Sequence, residues 1–312
     1  MTLTIHFSAP PADWPTFGPH LEAALREAGI DAAVSPDLAE PGAVDYIVYA
    51  PNEALSDFSP FTRCKAVLSL WAGVERIAPN PTLTQPLTRM VDPGMTESMV
   101  EYVVGHVLRH HLGMDSHILH QDGRWRQGAR PPLARQRPIA VLGLGALGQA
   151  CSEALRDLRF PVMGWSRSPK DIPGIACHSG EDGLATVLRQ ARIAVLLMPL
   201  TDETRNLMNA ARLDLMPKGA VIVNPGRGPL IDDDALLAAL GKGQIGHATL
   251  DVFRTEPLPP EHPFWSHPKV TVTPHIAAET KAVTATRVIA ENIRRSEAGE
   301  PLLHLVDRTR GY

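Results

Sequence analysis

The sequence predicts an α/β protein of two parallel-sheet domains: a Rossmann dinucleotide-binding domain and a second, smaller, flavodoxin-like α/β domain. Three observations carry this. Short apolar runs alternate with amphipathic segments of helical length along the whole chain. An apolar run at Ile139–Leu142 enters a glycine turn, Gly143-Leu144-Gly145-Ala146-Leu147-Gly148, that opens a helical pattern over Gln149–Leu158. The apolar runs of the second half are continuous rather than alternating, as expected of strands covered by helices on both faces. The smaller domain takes residues 1–97 plus 281–312, and the dinucleotide domain takes residues 98–280.

In chain order, Leu3–Phe7 reads as a strand and Phe17–Ala28 as a helix closed by a glycine cap at Gly29. Tyr46–Tyr49, Ala66–Leu70 and Arg89–Val91 read as further strands, separated by Pro- and Asn-containing breakers. No phosphate-binding glycine pattern occurs in this part. A long amphipathic helix is expected over Glu97–Leu112, with Val100, Val103, Val104, Val107 and Leu108 on one face and Ser98 and Glu101 at capping-box spacing. His106 and His110 lie four apart on it, but no third ligand follows in a recognisable motif, so no metal site is expected. Gln121–Arg137, with Arg124, Arg126, Arg130, Arg135 and Arg137, reads as an exposed loop whose charges are solvated.

At the glycine turn each glycine has a different task. Gly143 permits the tight exit from the strand, Gly145 lets a pyrophosphate approach the backbone, and Gly148 lets the helix pack close to the sheet. The helix N-terminus then offers unpaired N–H groups and partial positive charge to an anion. Beyond it, Val162–Trp165, Ile193–Met198, Ala220–Val223, His247–Asp251 and Val270–Thr273 read as strands, with helices at Gly183–Gln190 and Asp232–Leu240. A last helix, Thr280–Arg295, is expected to return the chain to the first domain.

Cofactor choice is read at the end of the second strand of this domain. An NAD-binding fold places an acidic residue about 20 residues past the glycine turn, on the ribose hydroxyls. Here Val162–Lys170 holds no carboxylate, and Ser166, Arg167 and Ser168 stand in its place with Lys170 nearby. That set suits the 2′-phosphate of NADPH, which is expected to be preferred over NADH.

Polar residues also follow the apolar strands on the edge where open α/β sheets bind ligands. Arg227 leaves Val221-Ile222-Val223 in the loop Asn224-Pro225-Gly226-Arg227-Gly228, Glu256 follows the strand ending at Asp251, and His275 follows Val270–Thr273. A cation able to fork onto a carboxylate, a carboxylate and an imidazole thus arrive at successive strand ends.

Composition limits the alternatives. The 312 residues are 44% hydrophobic and 21% charged with a net charge of −4, which gives no general attraction to nucleic acid or anionic membrane. The three cysteines, Cys64, Cys151 and Cys177, form neither a disulfide framework nor a C-x-x-C site. No signal-peptide pattern or apolar run of about 18 residues is present, so a cytoplasmic protein is expected.

The runs Leu200-Thr201, Met216–Ala220, Asn224–Gly228, Asp251-Val252-Phe253 with Glu256-Pro257-Leu258, and Thr273-Pro274-His275-Ile276 resemble the D-isomer-specific 2-hydroxyacid dehydrogenases. Leu70–Val74 and Val91-Asp92 extend the likeness into the first domain. Leu108-Arg109-His110-His111 and Trp165–Ser168 are similar to the glyoxylate/hydroxypyruvate reductases that prefer NADPH. The resemblance implies that Arg227 holds the 2-oxo acid's carboxylate and that His275 donates the proton, paired with Glu256, which raises its pKa. It further implies cofactor contacts from Gly143, Gly145, Ala146, Leu147, Gly148, Ser166, Arg167, Ser168, Pro199, Thr204, Pro225, Gly226, Arg227, Asp251 and His275. Substrate contacts fall to Tyr49, Trp71, Ala72, Gly73, Arg227 and His275, with the first domain closing on the substrate and a homodimer as the assembly. One departure stands out: the similar reductases often carry a tryptophan where this chain has Tyr49.

The function expected is therefore NADPH-dependent reduction of small 2-oxo acids, glyoxylate and hydroxypyruvate first. The alternatives are a reductase of bulkier 2-oxo acids such as phenylpyruvate, and a dinucleotide-sensing binding protein on the same fold. A pure sensor has no need of a proton donor.

Overall fold

The computed structural model describes residues 2–37, 40–125, 127–128 and 130–308. The elements run β1 (Leu3–Ser8), α1 (Trp14–Glu27), β2 (Ala32–Ser35), β3 (Tyr46–Tyr49), β4 (Ala66–Ser69), β5 (Leu87–Thr88) and α2 (Pro93–Leu112). They continue α3 (Asp115–Ile118), β6 (Ile139–Leu142), α4 (Ala146–Asp157), β7 (Val162–Ser166), β8 (Ala176–Ser179), α5 (Gly180–Gln190) and β9 (Ile193–Leu196). The series closes with α6 (Ala210–Leu215), β10 (Ala220–Asn224), α7 (Asp233–Lys242), β11 (Ile245–Leu250), β12 (Val270–Val272) and α8 (Ala282–Glu297). The chain divides into two compact units, Met1–Met95 with Glu279–Tyr312, and Thr96–Ala278.

The first unit holds a sheet in the order β2-β1-β3-β4-β5, every pairing parallel. This is the flavodoxin-like order, with the direction of winding reversing between β1 and β3. The amphipathic helices α1 and α8 pack together, burying Leu21, Ala24 and Leu25 on one and Ala285, Ile289 and Ile293 on the other. Their three- and four-residue spacing puts each set on a single helical face. Burying each isoleucine contributes about 1.5–3 kcal/mol, so Ile293→Asp would open this packing.

Most expected boundaries shift by a few residues, and two of the shifts bear on the packing. The strand expected at Arg89–Val91 lies earlier, at β5, where Leu87 registers with Val67. Helix α2 begins at Pro93 rather than Glu97, which leaves Ser98 inside the helix and not at its cap. The buried carboxylate of Asp92 caps it, accepting from Gly94 N–H at 2.9 Å and Met95 N–H at 3.2 Å. Pro93 then takes the first helical position, where its missing N–H costs nothing.

The second unit holds a seven-stranded parallel sheet, β12-β11-β10-β9-β6-β7-β8. Winding reverses between β6 and β9, which opens a crevice at their carboxyl ends. Strand periodicity explains the continuous apolar runs. Ala140, Leu142, Ala194, Leu196 and Ile222 face one core with α5 and α7, while Ile139, Val141, Ile193, Val195 and Val223 face another with α2 and α4. Both cores need every strand residue to be apolar.

Candidate active site

The crevice of the second unit begins at the glycine turn. Gly143 has φ +104°, and a Cβ there would meet the Leu197 carbonyl oxygen at 2.6 Å. A Cβ on Gly148 would lie 1.8 Å from the Gly143 carbonyl oxygen, so that position must be bare for α4 to start where it does. Gly145, directly before α4, has nothing within 4 Å of a built Cβ. A side chain there would enter the space in front of the first-turn amides of Ala146, Leu147 and Gly148, which have no acceptor within the helix. The cradle therefore fits a pyrophosphate. At the end of β7, Arg167, Ser168 and Lys170 are exposed, and the Ser166 hydroxyl donates to the Ser168 carbonyl at 2.8 Å, shaping the turn. Beyond β9, the Thr204 hydroxyl donates to the Pro199 carbonyl at 2.7 Å and fixes that loop.

Three neighbouring strands then deliver the charged groups. From β10, the buried Asn224 side chain receives the Gly226 N–H at 3.2 Å and donates to the Arg227 carbonyl at 3.0 Å, holding the loop that presents Arg227. Pro225 and Gly226 are buried within that loop. From β11 the chain passes through Asp251 to Glu256, whose Oε1 receives the Phe253 N–H at 2.8 Å. From β12 it reaches His275, whose N–H donates to the Asp251 carbonyl at 2.8 Å and whose φ is +55°.

Glu256 Oε2 lies 2.8 Å from His275 Nδ1. The hydrogen bond with Glu256 raises the imidazole pKa, against burial, which lowers it. Burial pushes the Glu256 carboxyl up, yet the bonds from His275 and the Phe253 amide outweigh it and leave it below its ordinary value. The positive charge of Arg227 acts on both groups, pulling both pKa values down. With Nδ1–H given to the carboxylate, Nε2 is left as the nitrogen able to donate to a ligand oxygen.

Behind the histidine lies a buried relay. Asp251, fully buried, accepts from the Thr273 hydroxyl at 2.6 Å and from the Ile276 and Ala277 N–H groups at 3.0 and 2.9 Å. The Tyr102 hydroxyl on α2 lies 2.7 Å from the Thr273 hydroxyl. The two strand-end loops are thus tied together around a left-handed residue that would otherwise be strained.

The model of the D-isomer specific 2-hydroxyacid dehydrogenase NAD binding domain matches residues 103–277. The chain belongs to that family. It is similar over 100% of both chains to a D-isomer specific 2-hydroxyacid dehydrogenase from Xanthobacter autotrophicus Py2 in complex with NADPH and MES, at 39% identity and a TM-score of 0.91. It is likewise similar to an NADPH-dependent glyoxylate/hydroxypyruvate reductase from Sinorhizobium meliloti in complex with NADP and sulfate, at 33% identity, 100% coverage of both chains and a TM-score of 0.88. A probable 2-hydroxyacid dehydrogenase from Rhizobium etli CFN 42, solved with NADP, HEPES and L(+)-tartaric acid, shares 30% identity over 100% of both chains at a TM-score of 0.86. The protein is an NAD(P)-dependent oxidoreductase of the 2-hydroxyacid dehydrogenase family.

In the dehydrogenase's first unit, the residues expected to meet substrate also lie at strand ends. Tyr49 ends β3, and Trp71, Ala72 and Gly73 follow β4, with Trp71 45% exposed. Ser69 pins that loop, its hydroxyl donating to the Trp71 carbonyl and accepting the Trp71 N–H, both at 3.0 Å. A cavity of about 360 Å³ opens beside Tyr49, lined also by Asn52, Glu53, Ser56, Arg76 and Asn80.

Two features escaped the sequence. Tyr102 carries no motif, and its partner Thr273 is 171 residues away. His110 of α2 meets His247 of β11, while His106 lies against Tyr102 with the two rings tilted. Of the arginine-rich loop, Arg124 and Arg130 are exposed, and Arg126 lies outside the described residues. Among the described residues no helix is long and apolar enough to cross a membrane.

Proposed function

We propose that this dehydrogenase is an NADPH-dependent reductase of small 2-oxo acids, with glyoxylate and hydroxypyruvate its first substrates and D-2-hydroxy acids its products. The observation that carries this is the ion pair of Glu256 and His275, on the loops after β11 and β12, with Arg227 on the loop after the neighbouring β10. The guanidinium of Arg227 takes the substrate carboxylate as a planar fork and draws electron density from the adjacent carbonyl. His275, kept protonated by Glu256, gives its proton to the carbonyl oxygen as negative charge develops there. Bound at the glycine turn, a reduced nicotinamide would supply the hydride. Asp251 fixes the loop from which His275 acts.

Preference for NADPH rests on the missing carboxylate after β7 and on the exposed Arg167, Ser168 and Lys170 there. A homodimer is part of the same reading. Leu112, Met114, Ile118, Leu119, Trp125 and Leu133 are exposed along the end of α2, α3 and the following loop, with Trp125 94% exposed. A second copy covering this apolar stretch would remove it from water. Cytoplasmic residence agrees with the free thiols of Cys64, Cys151 and Cys177.

A bulkier substrate is favoured by one observation, the cavity beside Tyr49. A spectrophotometric panel of NADPH oxidation decides between the readings. Fastest turnover is expected with glyoxylate or hydroxypyruvate. Fastest turnover with phenylpyruvate would transfer the assignment, and tight NADPH binding with no turnover of any 2-oxo acid would overturn it in favour of a sensor.

A further inference from the structure

The second unit brings a distant histidine, His247, to two side chains that lie close together in sequence, His110 and Asp115. His110 projects from α2, Asp115 begins α3, and His247 lies on β11, and one ligand atom from each falls within 4.8 Å of the others. The two imidazole rings are 4.8 Å apart at their centroids. Each ring is held by a threonine hydroxyl. His110 Nε2 is 2.8 Å from the Thr249 hydroxyl and His247 Nε2 is 2.9 Å from the Thr271 hydroxyl. Hydroxyl partners of this kind orient ring nitrogens and select tautomers at metal centres. All three side chains are half-buried, so an ion would lose water on binding and keep a way in.

We propose that His110, His247 and Asp115 form a binding site for a borderline divalent cation of the zinc class, separate from the residues of catalysis. Two imidazoles and one carboxylate are a common donor set for zinc, with one position left for water. Such a set discriminates against magnesium and calcium, which take oxygen donors. Bond lengths near 2.0–2.1 Å require donors about 3.4 Å apart, so the side chains draw together by roughly 1 Å on binding. Arg109 opposes the ion. Its Nε and Nη2 donate to the two oxygens of Asp115 at 2.6 and 3.0 Å, and its Nη2 also donates to the Thr271 hydroxyl at 3.0 Å. The guanidinium leaves each carboxylate oxygen a free lone pair but adds a like charge, which weakens the affinity. Occupancy would clamp α2 to the β11–β12 edge of the sheet.

The test uses the full-length chain without a histidine tag. Zinc is titrated in competition with a chromogenic chelator, and thermal unfolding is followed in parallel. One equivalent per chain is expected, weakened tenfold or more in His110→Gln and in His247→Gln and less in Asp115→Asn. Arg109→Gln should tighten binding, a gain that a merely packed histidine pair would not show. At a hundredfold excess over Kd, zinc should raise the wild-type Tm by about 4 °C or more and leave His247→Gln unmoved. Circular dichroism and NADPH binding serve as the check that each variant is folded. No saturable equivalent in wild type, or the same affinity and stoichiometry in both folded histidine variants, would overturn the site.

Discussion

Two histidine environments in the same unit invite comparison. His275 sits at a strand end against a carboxylate, and its hydrogen bond with Glu256 raises its pKa. His110 and His247 meet each other and two threonine hydroxyls. Burial, with the neighbouring His247 and Arg109 charges adding to it, pushes His110 down to about 3. Burial pushes His247 down to about 4, with Asp115 pulling the other way. One side chain thus has its pKa raised in one place and lowered in another. The difference lies in what the ring touches, not in the ring.

That contrast can be broken at either end. The largest effect is expected from His275→Gln, which keeps a polar side chain but loses the transferable proton. Its kcat should fall about a hundredfold to ten-thousandfold with a far smaller change in NADPH affinity, measured by steady-state kinetics and cofactor titration. A fall of less than tenfold would remove His275 from the proton transfer. Next comes Arg227→Lys, which keeps charge but loses the fork. Losing one charge-assisted bond of about 1.5–3 kcal/mol should lower kcat/KM for the 2-oxo acid roughly ten- to a hundredfold. Arg167→Ala should raise the KM for NADPH by about tenfold and leave that for NADH nearly unchanged. An equal loss for both cofactors would place Arg167 off the 2′-phosphate.

The smallest effect belongs to the neutral pair. The folded pKa of His247 lies below the ordinary 6.5, so the unfolded chain binds a proton that the folded one refuses. Its contribution is complete above pH 6.5 and is lost as pH falls from there toward about 4. His247→Gln should therefore flatten the decline of Tm over that window while leaving Tm near pH 8 less affected. A decline as steep as in wild type would show that another group governs acid stability.

Much of this was legible from local pattern. Strands buried on both faces, such as β6, β9 and β10, announce themselves as apolar runs, and the glycine turn and the loops at Arg227, Glu256 and His275 sit directly after them. The missed strands are both edge strands. β2 and β8 each pair on one side only and keep partly exposed residues throughout, so neither needs an apolar run. The start of α2 was signalled by Asp92-Pro93, but the competing Ser98–Glu101 spacing has the same form, and only backbone geometry separates them. The relay through Tyr102 and the cluster of His110 with His247 depend on contacts between distant segments. Local periodicity carries no trace of them.

The central claim is that Glu256 keeps His275 charged for reduction, and pH–rate profiles of wild type and Glu256→Gln in both directions test it most directly. Losing the carboxylate removes the largest influence raising the imidazole pKa. The fall in the reductive rate should therefore move to lower pH in the variant. Oxidation of the D-2-hydroxy acid, which needs the neutral ring, should suffer less at neutral pH. Profiles that coincide with wild type in both directions would contradict the pairing.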